Sequence, residues 1–140
     1  MIPRRRLRPL TVLLCAASAM TLTACSGSDA AVQRSEGVTA MVASEAPDLV
    51  MQASIAGTLT TTDEGCLAVQ NDGTALPLVF PVGSRLSGDG RTIDVPGRGA
   101  LTTGDVVEGG GGYLTLEDTP DECTPDGDPV ESVIWQSLPD

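Results

Sequence analysis

From Ala53 to Asp140, no stretch between one glycine or proline and the next exceeds nine residues. An average helix needs about 11–12 residues, so the chain has little room for helices and ample room for strands. The apolar pattern agrees. Ile55, Gly57, Leu59 and Thr61 alternate with polar or small residues, as a half-buried strand requires. Asp63-Glu64-Gly65 then turns the chain, and Cys66 to Gln70 makes a second run with Leu67 and Val69 on one face. Asn71-Asp72-Gly73 is a hairpin signal, because such turns need residues that accept positive φ. Leu76, Leu78 and Phe80 share a face of a third run, and Pro77 on the other side is expected at an edge, where no ladder donor is needed.

Further runs follow the breaks at Ser87-Gly88-Asp89-Gly90 and Pro96-Gly97-Arg98-Gly99. They are Thr92 to Val95, Leu101 with Val106-Val107, Tyr113 to Glu117 with Leu114 and Leu116 on one face, and Val130 to Trp135. In the last of these, Val133-Ile134-Trp135 is apolar on both faces. Six or seven short strands on tight turns predict an all-β domain, with antiparallel order because parallel neighbours need long crossovers. Thr103-Gly104-Asp105-Val106-Val107-Glu108-Gly109 resembles the Gly-Asp-x-Val-x-x-Gly texture of small barrels of the oligonucleotide/oligosaccharide-binding (OB) type. The resemblance covers this one segment. It implies a small antiparallel β-barrel, with a β-sandwich as the alternative. The run Gly109 to Gly112 is read as a bulge or close backbone approach in a curved sheet.

The N-terminus has a different grammar. Arg4, Arg5, Arg6 and Arg8 precede a mostly apolar stretch from Leu10 to Leu22, followed by Leu22-Thr23-Ala24-Cys25 and a polar run. Positive, apolar and small-residue regions in that order are those of a secretory signal. The apolar stretch is short of the ~20 residues of a spanning helix. Leu-Thr-Ala-Cys resembles the lipobox of bacterial lipoproteins. In that family diacylglycerol is attached to the lipobox sulfur and a peptidase cuts just before it. The resemblance implies that 1–24 is a lipoprotein signal peptide and that Cys25 is the lipidated first residue. It places the protein on the extracytoplasmic face of the cell membrane, lipid-anchored. Arg4-Arg5 leaves twin-arginine export open beside the general secretory route. The all-arginine basic set and the Ala, Gly and Asp usage are similar to those of actinobacteria.

Residues 25–52 read as a lipidated flexible tether, with a weak helix somewhere within Val38 to Met51 as its only structure, and 53–140 as the β domain. Loss of the signal removes four of the eight arginines and leaves all 19 acids, a formal charge of −15. Such a surface repels phosphate backbones and argues against nucleic acid as a partner. The expected partners are the membrane, through the anchor, and an envelope protein or small ligand.

Four cysteines divide cleanly. Cys15 lies within the signal and Cys25 takes the lipid, which leaves Cys66 and Cys123. In an oxidising compartment that pair is expected to form a disulfide. A metal site is not expected: two thiolates without a histidine do not complete a tetrahedron.

The chain has no histidine and no lysine. Ser-His-Asp and Cys-His catalysis, Schiff bases and P-loops are thereby excluded. Only Phe80, Tyr113 and Trp135 are aromatic, with Trp135 read as core. The acidic segment from Glu117 to Glu131 carries Asp118, Asp121, Glu122, Asp126 and Asp128, candidates for weak binding of a hard cation. No cofactor is implied. The sequence thus points to a non-catalytic binding or accessory domain. A carboxylate- or metal-dependent enzyme and a purely structural envelope lipoprotein are the alternatives.

Overall fold

Two tight hairpins organise the molecule, whose computed structural model describes residues 30–124 and 126–138. In the first, Glu36 (φ 48°) and Gly37 (φ 77°) join β1 (Ala30–Ser35) to β2 (Val38–Ala43). In the second, Asp72 (φ 48°) and Gly73 (φ 79°) join β4 (Leu67–Asn71) to β5 (Thr74–Phe80). Two consecutive left-handed residues match the twist of paired strands, which is why such loops close hairpins without splaying them. Between the hairpins lies β3 (Ala53–Thr61). After them come β6 (Arg85–Leu86), β7 (Ile93–Val95), β8 (Gly99–Leu101), β9 (Val106–Thr115) and β10 (Glu131–Ser137).

Five strands close a barrel. β3 pairs with β4, β4 with β5, β5 with β10, β10 with β9, and β9 returns to β3. This small closed barrel is compatible with the OB-like fold read from the sequence. Two of the ladders correct the antiparallel expectation. β5 runs parallel to β10 and also to β2. The β5–β10 pair is possible because residues 81–130 supply the long crossover that a parallel pair needs. Pro77 stands opposite Ala68 at the last register of the β4–β5 ladder, and beyond it β5 takes β2 and β10 as partners.

The inward set is Ile55, Leu59, Leu67, Val69, Leu78, Phe80, Val107, Val133 and Trp135, all buried. Phe80 and Trp135 lie with ring centroids 6.3 Å apart at 58°, and the Trp135 indole N–H donates to the Ser137 carbonyl at 3.0 Å. Each such side chain contributes about 2–3 kcal/mol by burial, and the satisfied N–H removes the penalty of burying an indole. Ile93, Val95 and Leu101, from the three-stranded β6–β7–β8 sheet, join the same cluster. That sheet spans from the end of β5 to the start of β9 and so plugs one mouth of the barrel.

The tether expected over 25–52 is overturned for residues 30–43. These form β1 and β2, with Thr39, Ala40, Met41 and Val42 at most 3% exposed. No helix forms within Val38 to Met51, and the β domain begins by Ala30 instead of at residue 53. Both faces of β2 are covered: Ala40 and Val42 join the barrel cluster, while Met41 joins a second cluster with Cys66, Val79 and Cys123. A strand buried on both faces does not alternate, so its Thr-Ala-Met-Val run carries no period-2 signal. Gln33 fastens the hairpin further, donating to the Ser84 carbonyl at 3.0 Å and accepting from the Leu86 N–H at 2.7 Å.

Cys66 and Cys123 are disulfide-bonded. Strand directions put the β3–β4 turn and the start of the β9–β10 connection at opposite ends of the barrel. The bond therefore draws residues 116–130 along the outer wall. There Cys123 packs on Met41 and Val79, and Arg34 holds Glu122 with a 3.0 Å ion pair.

Candidate functional site

The outer wall of β5, β10 and β9 carries the site, and the glycine run of β9 makes it. A Cβ on Gly111 would overlap the Ile134 carbonyl, and one on Gly109 would overlap the Ser137 carbonyl. Side chains here would therefore force β9 away from β10. The approach expected for this run is present, and the bulge lies in its partner. Trp135 pairs with Gly111 and Ser137 with Gly110, leaving Gln136 as the extra residue. Bulges re-aim side chains. The Gln136 carboxamide accepts the Met51 N–H at 2.7 Å and donates to the Leu49 carbonyl at 3.1 Å.

Those two bonds fasten the irregular strap of residues 44–52, which leads from the end of β2 across the barrel wall to the start of β3. Met51 lies directly on Gly112, in the space that a Cβ would occupy. Between strap, wall and β1 is a groove of about 790 Å³. Val79 and Ile134, paired in register, and Leu114 and Leu116 supply its apolar wall, with Ala30 and Leu49 at its margins. Leu114 is 41% exposed and Leu49 80% exposed. The volume is of the size that small-molecule sites have, typically about 300–1,000 Å³.

Charge around the groove has one sign. Glu45 and Asp48 line it, and among the described residues no arginine does. The Leu116 end continues directly into Glu117 and Asp118. The displaced carboxylate pKa values lie elsewhere. Glu122 is held below the usual carboxylate range by the hydrogen bond from Arg34. Asp89 is lowered chiefly by the Ser87 hydroxyl, at 2.6 Å. Chemically, the groove offers apolar surface, one carboxamide already engaged, Ser44, and two acids with no basic residue among the described lining. Such a place is suited to holding an apolar, uncharged group.

The residues singled out in the sequence fare differently. Cys25 lies outside the described residues. Cys66 and Cys123 come together as expected. Asp118, Asp121, Glu122, Asp126 and Asp128 are not gathered: among the described residues no three acidic, cysteine or histidine side chains converge on one point. Asp118, Asp121, Asp126 and Asp128 are exposed to solvent, and Glu122 is engaged by Arg34. Trp135 is core, while Tyr113, on β9 next to Leu114, is 43% exposed and does not line the groove.

The groove itself was not singled out in the sequence, yet its signal was present. Val133-Ile134-Trp135 is apolar on both faces, which means that something apolar lies on each side. Leu114 and Leu116 share a face. The strap and Gln136 left no such mark. No family model, curated protein or solved structure matches this chain.

Proposed function

We propose that this protein is a membrane-anchored extracytoplasmic lipoprotein whose β-barrel domain binds a ligand or envelope partner and performs no catalysis. One observation carries the reading: an apolar groove opens beside Ala30, five residues after the lipobox cysteine Cys25. The anchor and the binding surface are thus adjacent in the chain. The domain is held close to the bilayer, with its groove near the anchored end. A formal charge of −15 after processing keeps the rest of the surface away from anionic headgroups.

Absence of histidine and lysine removes the usual nucleophile activators, and among the described residues no three acidic, cysteine or histidine side chains converge on one point. Non-catalytic binding is the use that fits this lining. A single acyl chain holds a protein to a membrane only marginally, whereas two anchor it stably, so diacylglycerol on Cys25 would suffice.

The test is the intact mass of protein purified from the membranes of its native cell, before and after reduction and alkylation. The expected species is 25–140 plus diacylglycerol, with Cys66 and Cys123 alkylated only after reduction. A species without lipid would refute the anchor.

A further inference from the structure

We propose that the outer groove holds an acyl chain of the diacylglyceryl group on Cys25, so that the domain packs against its own anchor. The inference rests on the lipoprotein reading above and adds an occupant to the groove. Chain length supports it first. Ala30 lines the groove, and five extended residues span at most about 18 Å, which bounds the distance from Ala30 to the backbone of Cys25. The wall supports it second. Val79, Ile134, Leu114 and Leu116 form an apolar strip. Leu49, on the strap across from them, is 80% exposed and would lose that exposure against an acyl chain.

Charge selects the source of the chain. Glu45 and Asp48 border the groove with no arginine among the described lining residues to offset them, and Glu117 and Asp118 follow Leu116. An anionic phospholipid from the envelope would bring its phosphate against these acids. The diacylglyceryl thioether has no charged headgroup and meets no such repulsion. Proximity and charge therefore favour the covalently attached lipid over a free one.

The experiment compares the native lipidated protein with the same protein after a lipase has hydrolysed its acyl esters, both in one detergent. Hydrogen exchange is read at the amides of residues 44–51. The expected result is about tenfold faster exchange of the strap after deacylation, with β10 amides unchanged, as local opening predicts. Leu114→Glu, at an exposed wall position, is expected to abolish the difference while the intact mass still shows diacylglycerol. Equal exchange before and after deacylation, in protein whose mass shows the lipid, overturns the proposal. So does a difference that persists in Leu114→Glu, because contact with the micelle would then explain it. Deacylated protein that stays protected and carries a non-covalent lipid in native mass spectrometry would assign the groove to free lipid instead. A starting mass without diacylglycerol refutes the anchor and this proposal together, and is recognisable as that separate failure.

Discussion

Removing the Cys66–Cys123 disulfide is the perturbation whose size follows most directly from the structure. The bond closes a loop with a sequence separation of 57. The chain-entropy relation then gives about 14 cal/mol/K, or about 4 kcal/mol at 25 °C. For a domain of this size about 1 kcal/mol moves Tm by ~4 °C, so reduction or the Cys66→Ala/Cys123→Ala variant should lower Tm by about 15–20 °C. A local account predicts something smaller. If the bond only held residues 116–130 against the wall, its loss would free that segment and leave the barrel intact. Urea denaturation separates the two. Release of the cross-link expands the unfolded chain, so the slope of stability against urea should rise as the midpoint falls. Reduction by a phosphine leaves the sequence unchanged and controls for the cavity that alanine creates where both half-cystines are buried. A loss below about 1 kcal/mol in both reduced protein and variant would refute the entropic reasoning. It would mean that the unfolded chain stays compact without the bond.

Three further outcomes are expected. Gly111→Ala should cost about 3 kcal/mol or more, because its Cβ meets the Ile134 carbonyl and β9 must leave β10; Gly88→Ala, with open space around it, should stay within about 0.5 kcal/mol, and paired thermal melts test both. Gln136→Ala removes both strap bonds, so exchange at residues 44–51 should accelerate while Tm falls only slightly; unchanged strap exchange would show that Met51 packing alone holds it. Arg34→Gln should return the Glu122 carboxyl toward its ordinary value of 4.5, as read by NMR titration. The sign follows from the lowered folded pKa. The pair contributes at neutral pH and above the ordinary range, and its contribution disappears as pH falls through the lowered value. Both groups reach solvent, so the effect is small and salt-sensitive.

Legibility followed what each position touches. Asn71-Asp72-Gly73 was readable because its turn chemistry is local, and it marks the β4–β5 hairpin. Glu36-Gly37 makes the same kind of turn, but glutamate is not among the residues that favour the first position. The strands beside it lack alternation, and the segment therefore read as tether. Trp135 was legible as core from its neighbours alone. The pairing partners of β5 were not, since parallel ladders form between segments far apart in sequence. Likewise Gln136 carries no motif. Its role arises from a bulge that only the approach of β9 creates. The acidic loop misled in the opposite sense: plentiful carboxylates looked like ligands, yet nothing folds them toward a common point.

What the sequence determined by itself is therefore the set of short-range quantities. These are the strand texture, the turn at Asp72-Gly73, the expectation that Cys66 pairs with Cys123, the absence of histidine and lysine chemistry, and the order of charges and apolar residues that ends at Cys25. Each depends on residue identity and immediate spacing. The tertiary structure alone decided that residues 30–43 belong to the sheet, that β5 has parallel neighbours, and that a groove runs beneath a strap held by Gln136. Those features depend on which surfaces meet after the barrel closes. A strand's second face, a bulge's direction and a groove's wall are properties of pairs of distant segments, and no local pattern encodes a pair.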